Sequence, residues 1–153
     1  MTHPRAVIIS HGQPSDTAVA ERELCALARR VAALTPGWDI RSATLAAPLS
    51  VAMALHDAPP TTLVYPLFMA DGWFTRVALP RRLGATSAQV LPPFGCNAAL
   101  PHLAATTLSR VLQDRGWTPE TTRLFIAGHG SGRSARPAEV TQAFGAALSR
   151  VLP

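Results

Sequence analysis

The alternation of short apolar runs with longer stretches of helical period is the feature that most constrains this fold. Residues 6–9 (AVII) form an uninterrupted apolar run, which is typical of a strand buried on both faces of a parallel sheet. Thr17–Leu34 instead repeats apolar side chains every three or four positions, and Pro36-Gly37 ends the pattern. At 153 residues the chain can hold one domain with a core and is too short for two ordinary ones.

The same alternation continues towards the C-terminus. It predicts further strands at residues 38–45, 61–69, 87–91 and 122–127. It predicts one helix that begins at Pro48 and a separate short helix that ends near Leu83. It predicts two further helices at residues 97–115 and 137–152. Strands that alternate with helices indicate right-handed βαβ units. We therefore predict an α/β fold in three layers, a mainly parallel sheet flanked by helices, built from flavodoxin-like βα units.

An internal repeat bears on the domain organisation. RAVIISHGQPSD at residues 5–16 matches RLFIAGHGSGRS at residues 123–134, and Glu21 and Glu139 keep the same offset in the helices that follow. We interpret residues 1–118 as a complete α/β unit. Residues 119–153 then supply a strand and a helix that either open a second, truncated repeat or complete the first sheet; we favour the tandem origin.

Composition excludes several classes of protein. Apolar residues make up 48% of the chain and charged residues 15%, which rules out intrinsic disorder, and no apolar run is long enough to span a membrane. The net charge of +5 comes from scattered arginines and only 6% of residues are aromatic, so the pattern favours an anionic small molecule over nucleic acid. Two cysteines cannot form a disulfide framework, which predicts a cytoplasmic setting.

Two histidines stand where a predicted strand gives way to glycine. His11 and His129 each precede a Gly, which lets a ligand approach the backbone, and ligands bind beyond the carboxyl ends of parallel strands. A neutral imidazole can ligate a transition metal or act as a general base. Each His could instead only hydrogen-bond its own loop, but their repeat-related positions favour a functional role.

Other polar and aromatic residues near the predicted strand ends are weaker candidates. Asp71 could hold a metal or water, although solvation of its loop is the simpler interpretation. Cys96 is expected to be an inert thiol. Arginines could pair with substrate carboxylates or lie on a solvated helix face, and a polar loop could hold an anion or cap a helix; these residues are Arg76, Arg81, Arg82, Ser131, Arg133 and Ser134.

Three segments together resemble a known family. SHG at residues 10–12, PLFMADGWFTRVALP at residues 66–80 and LPPFG at residues 91–95 are similar to the CbiX/SirB-type sirohydrochlorin chelatases. The resemblance implies a chelatase-like fold and a lyase of cobalamin or sirohaem biosynthesis that inserts Co²⁺ or Fe²⁺ into an anionic tetrapyrrole. It implies no organic cofactor, because the divalent metal is a substrate.

The resemblance also implies site residues. His11 matches the family's first metal-binding histidine. The second histidine position falls on Phe74, or on Trp73 with a slip of one residue, and the family's Glu falls near Thr44, followed by Ala47. Phe74 and Trp73 cannot ligate a metal but could stack on a macrocycle, or simply pack against their loop.

These departures leave His129 as the second candidate catalytic and metal-binding residue. In a tandem protein it would belong to the second lobe, and its partner ligands would lie beyond Pro153. One alternative is a non-catalytic lobe that binds tetrapyrrole or metal or forms an interface. A histidine-phosphatase-like enzyme is disfavoured, because residue 10 is Ser where such a site needs Arg. We expect a lone unit to form a homodimer that closes its cleft.

Overall fold

Within the residues that the structure describes, four parallel strands and five α-helices make up the fold. The structure is a computed structural model and describes residues 3–130 and 135–152. In chain order its strands and α-helices are β1 (Arg5–Ser10), α1 (Thr17–Leu34), β2 (Asp39–Thr44), α2 (Ser50–Ala54), β3 (Leu63–Pro66), α3 (Leu79–Leu83), β4 (Gln89–Val90), α4 (Leu100–Arg115) and α5 (Arg136–Val151). A π-helical turn at Phe74–Ala78 leads into α3, and short 3₁₀ turns lie at Phe94–Cys96 and Pro119–Thr121.

The strands form one parallel sheet in the order β2-β1-β3-β4. β1 lies in the interior, where Ile8 is level with Ser42 of β2 and Tyr65 of β3. The carboxyl ends of β1, β2 and β3 therefore meet at the same edge of the sheet, as expected for a ligand-binding edge. The predicted α/β class, a parallel sheet flanked by helices, is confirmed.

Two apolar cores lie on the two faces of the sheet, and β1 contributes to both. Val7 and Ile9 pack on one face against side chains of α2 and α3, and Ile8 packs on the other against α1. Successive side chains of a strand point to opposite faces, so a strand with helices on both sides must be apolar throughout. This explains the uninterrupted run in β1.

The prediction of a fifth strand at residues 122–127 is wrong for the residues that the structure describes. Residues 122–130 form neither strand nor helix, and Phe125 leaves 85% of its surface exposed. Leu124, Phe125 and Ile126 lie beside α4 and α5, which pack against each other. The segment is not hydrogen-bonded to the four-stranded sheet, so the described residues do not show it completing the first sheet. The division at residue 118 stays a prediction.

Several element boundaries differ from those predicted. The helix expected at Pro48 begins at Ser50, because Leu49 adopts a left-handed φ of 64° that ends the preceding turn. The helix expected at residue 97 begins at Leu100, where the Asn97 side chain accepts a hydrogen bond from the Ala99 N–H at 2.9 Å. Within the described part of the chain, no helix is both long and apolar enough to cross a membrane.

Candidate functional site

The turn after β1 is fixed in place by the end of β2. The backbone N–H groups of Leu45 and Ala46 donate to the carbonyl oxygens of Ser10 and His11, both at 2.9 Å. Gly12 follows with a φ of +76°, and a Cβ at this position would lie 2.6 Å from the Cβ of Thr44. Only glycine fits both the backbone conformation and the available space. We call residues 10–12 the histidine turn.

The imidazole of His11 has a defined tautomer. Its Nδ1 lies 2.7 Å from the carbonyl oxygen of Gly12. A carbonyl oxygen can only accept a hydrogen bond, so Nδ1 carries the proton in the neutral ring and Nε2 keeps a lone pair. The half-buried ring meets Phe74 edge-on, with 4.3 Å between the ring centroids. This arrangement presents one basic nitrogen on an otherwise apolar support.

His11 lines a cleft of about 280 Å³ beyond the carboxyl end of β1. Phe74 stacks on Phe68 with ring centroids 6.0 Å apart and contacts Trp73 edge-on at 5.2 Å. Trp73 nevertheless leaves 58% of its surface exposed. The cleft, which we call the His11 cleft, is lined by His11, Pro14, Leu45, Ala46, Trp73, Phe74, Ala78, Arg81 and Arg82. It is therefore lined by a histidine, two aromatic residues and two arginines.

Arg76 and Asp71 bind each other rather than the His11 cleft. Arg76 Nε donates to Asp71 Oδ2 at 2.9 Å, and the Thr75 hydroxyl lies 3.0 Å from Asp71 Oδ1. The hydrogen bond from Arg76 lowers the pKa of Asp71, and the bond from Thr75 lowers it further, while burial acts in the opposite direction. Arg76 is not among the residues that line the His11 cleft. Arg76 as a substrate-binding residue stays a prediction, and Asp71 is not a free carboxylate.

Of the remaining predicted residues, the structure describes only His129. His129 is exposed within residues 122–130 and does not line the His11 cleft. Ser131, Arg133 and Ser134 lie outside the described residues. Among the residues that the structure describes, no three side chains of His, Cys, Asp or Glu are arranged to hold a metal ion. His11 and His129 as metal-binding residues stay predictions.

Solved structures similar to this chain include two CbiX proteins. The structure of CbiX from denitrifying bacteria, the terminal enzyme for biosynthesis of siroheme, is similar to this chain with a TM-score of 0.84 and 45% sequence identity. The match covers 97% of this chain and 65% of that one. The chain is similar to CbiX over almost its whole length. It spans 65% of the length of this relative.

A second CbiX structure supports the fold. It is a cobalamin (vitamin B12) biosynthesis CbiX protein from Marinobacter aquaeolei VT8. It matches this chain with a TM-score of 0.52 and 20% sequence identity. The match covers 72% of this chain and 98% of that one. No protein-family model and no curated protein matches this chain. The resemblance to CbiX inferred from the sequence is therefore confirmed through structure.

One carboxylate near this edge of the CbiX fold was not predicted as a site residue. Thr44, near which the sequence resemblance placed the family's Glu, is fully buried. Its N–H donates at 2.8 Å to Oε1 of Glu21, which reaches the end of β2 from α1. Glu21 lines a separate groove of about 540 Å³ at the outer edge of β2, not the His11 cleft. The offset that Glu21 shares with Glu139 in the sequence repeat was the available signal.

Proposed function

We propose that this CbiX-like chain binds a sirohydrochlorin-type tetrapyrrole in the His11 cleft and takes part in the insertion of Co²⁺ or Fe²⁺. The observation that carries the proposal is the basic Nε2 of His11 beside two aromatic rings and two arginines. The name of the 45% identical relative, the terminal enzyme for siroheme biosynthesis, points to the same chemistry. The metal ion is a substrate of this reaction.

Each group in the cleft suits one requirement of the reaction. The lone pair of His11 Nε2 suits a divalent transition metal or a proton that leaves a pyrrole nitrogen. The rings of Trp73 and Phe74 offer flat apolar surface to a macrocycle. The guanidinium groups of Arg81 and Arg82 suit the carboxylates at its rim.

The first experiment tests the imidazole. Co²⁺ insertion into sirohydrochlorin is followed by absorbance for the wild type and for His11→Ala, His129→Ala and His102→Ala, the last being an exposed histidine of α4. We expect His11→Ala to slow insertion by about 10²-fold or more, as is usual for loss of an acid–base group. We expect His102→Ala to behave as wild type. Loss of activity in His129→Ala alone would assign the reaction to the second copy of the repeat and overturn the role of His11.

The second experiment tests the arginines. Truncation of Arg81 or Arg82 to Ala should weaken sirohydrochlorin binding roughly fivefold each, the equivalent of about 1 kcal/mol for a partly exposed ion pair. Arg110→Ala and Arg150→Ala are matched controls, because both side chains are exposed on α4 and α5. Equal affinities for all four variants would exclude these two arginines from substrate binding.

A non-catalytic binding lobe is the second candidate. Phe74 stands at the second histidine position, and the described residues hold no three-ligand metal group. This candidate predicts sirohydrochlorin binding that depends on Arg81 and Arg82 without any metal insertion. The same two assays therefore separate it from the chelatase.

A homodimer in the cytoplasm completes the proposal. Both cysteines, Cys25 and Cys96, are free thiols, which suits a reducing compartment. Pairing of two copies would cover the His11 cleft, which is open to solvent on the side of Trp73. Sedimentation measurements with and without sirohydrochlorin test this state, and a monomer under both conditions would exclude it.

A further inference from the structure

We propose that Glu21 is a positioning residue for His11, acting through the end of β2. The inference rests on the proposed function, in which His11 supplies the working imidazole. Glu21 touches neither His11 nor the His11 cleft. It lies at the far end of a short series of contacts that ends at the Nδ1 hydrogen bond of the ring.

The first contacts join three elements at one carboxylate oxygen. Oε1 of Glu21, on α1, accepts hydrogen bonds from the Thr44 N–H and from the Ser50 hydroxyl, both at 2.8 Å. Ser50 opens α2 and its hydroxyl also lies 3.2 Å from the Thr44 nitrogen. Because β2 is an edge strand, this N–H has no neighbouring strand to accept from it. Glu21 supplies the nearer acceptor, and the Ser50 hydroxyl oxygen is a second, more distant one.

The second contacts connect the end of β2 to the histidine turn. The buried side chain of Thr44 fills the space next to the Cα of Gly12. The next two residues, Leu45 and Ala46, donate their N–H groups to the carbonyl oxygens of Ser10 and His11. The position of Thr44 thus determines where the main chain of the histidine turn lies.

The last contact fixes the ring. The carbonyl oxygen of Gly12 accepts from His11 Nδ1 at 2.7 Å and thereby selects the tautomer with a lone pair on Nε2. A shift of Thr44 would move Gly12 and weaken this bond. Without the bond, the neutral ring would exchange between its two tautomers, and the lone pair would no longer be confined to Nε2.

The hydrogen bonds of Glu21 indicate that its positioning role needs an acceptor oxygen and does not need a negative charge. Both bonds of Glu21 use a single oxygen, which an amide oxygen can replace. Glu21→Gln should therefore keep the function, whereas Glu21→Leu removes the acceptor at similar size. Glu23→Leu is the matched control, because Glu23 is an exposed residue two positions further along α1.

The test observes the ring nitrogens directly. ¹⁵N chemical shifts of the His11 ring are recorded at about pH 8, above the ordinary imidazole pKa of about 6.5. We expect the Nδ1-protonated pattern in the wild type, Glu21→Gln and Glu23→Leu, and averaged shifts in Glu21→Leu. In the insertion assay, Glu21→Leu should lower kcat about tenfold, the usual effect of losing an outer partner of a ligand, with KM for sirohydrochlorin changed little.

Two results would overturn the proposal. One is an unchanged His11 spectrum in Glu21→Leu. The other is a Glu21→Gln variant as defective as Glu21→Leu, which would show that the charge is required. If Glu21→Leu fails to fold, Ser50→Ala removes one of the donors to Oε1 and should give a smaller shift in the same direction. The NMR spectra do not require metal insertion. If the wild type fails to insert metal, the proposed function is wrong, but the spectra still test whether Glu21 positions His11.

Discussion

Gly12 contributes to the site through both its backbone and its missing side chain. Its carbonyl oxygen orients His11, its φ of +76° lies in the left-handed region, and Thr44 occupies the space where a side chain would begin. These requirements come from different parts of the fold, because Thr44 belongs to β2 and His11 follows β1. The requirement for glycine at this single position therefore depends on how the strands are arranged.

Gly12→Ala should destabilise the fold by about 2–4 kcal/mol, the sum of a strained φ and a forced overlap with Thr44. Gly37→Ala separates these two causes. Gly37 has a φ of +86° with no atom within 4 Å of its Cβ position, so we expect a cost of only about 1 kcal/mol there. Urea unfolding measures both variants. Equal losses of stability would show that the contact with Thr44 does not matter.

The sequence was sufficient to locate His11 and insufficient to assign partners to charged groups. A histidine between an apolar run and a glycine indicates a strand end, which is local information. Arg76 was predicted to meet substrate carboxylates or to lie on a solvated helix face, and its hydrogen bond to Asp71 beside the π-helical turn was not predicted. Glu21 meets Thr44 and Ser50 only after α1 has packed on β2. Such pairings depend on geometry that no local pattern specifies.

At the scale of elements, the π-helical turn Phe74–Ala78 shapes one wall of the His11 cleft. The Leu79 N–H bonds to the carbonyl of Phe74, five residues back, and the wider turn carries Trp73 and Phe74 at its start. Asp71 and Arg76 are also five residues apart, and the hydrogen bond between their side chains stabilises the start of this turn. Turns of this type are rare and often occur at functional sites.

Arg76→Gln should raise the pKa of Asp71 towards its ordinary value of 3.8, because the principal hydrogen bond that lowers it is removed. Arg82→Gln leaves that hydrogen bond in place and should leave this pKa unchanged. A ¹³C NMR titration of the Asp71 carboxyl checks both variants. A pKa of Asp71 at or above 3.8 in the wild type would contradict the hydrogen bond from Arg76.

The lowered pKa also fixes the direction of a pH effect on stability. Because the folded-state pKa of Asp71 lies below its unfolded value, the pair with Arg76 stabilises the fold fully above the unfolded pKa and loses this contribution as pH falls through the folded one. In Asp71→Asn this part of the acid sensitivity should be absent. Unfolding measured between neutral pH and about pH 2 checks this loss.

Elements with strong local signals were predicted best. α1 spans Thr17–Leu34 as the apolar period indicated, and Asp16 caps it by accepting from the Val19 N–H at 3.1 Å. β4 is reduced to Gln89–Val90, because it lies at the sheet edge and only part of the apolar run finds a partner strand. Helical period is intrinsic to a segment, whereas strand length depends on neighbours.

For the whole molecule, the sequence repeat provides an internal comparison. Residues 5–12 and 123–130 match, yet only the first copy forms a strand. β1 is hydrogen-bonded on both sides, by β2 and β3, while residues 122–130 have no adjacent strand in the described structure. Two segments with the same pattern therefore adopt different conformations, and the difference is tertiary. This is why the fifth predicted strand was wrong.

Hydrogen exchange should distinguish the two copies. Backbone amides of Val7 and Ile9 should be among the slowest to exchange, and amides of residues 124–130 among the fastest, because only the first set is buried in a sheet. Deuterium uptake followed by mass spectrometry measures both on one sample. Equal protection that rises with protein concentration would mean that a second copy of the chain supplies the missing strand.

The hydrogen bond from His11 to the Gly12 carbonyl constrains the order of metal binding and proton removal in the proposed reaction. With one ring nitrogen committed to the main chain, His11 has a single electron pair to donate. An ion held there excludes a proton from the same atom, and a proton excludes the ion. Under the proposed function, departing pyrrole hydrogens would be carried away by water or another base while His11 holds the ion, or be collected by His11 only after the ion has been released.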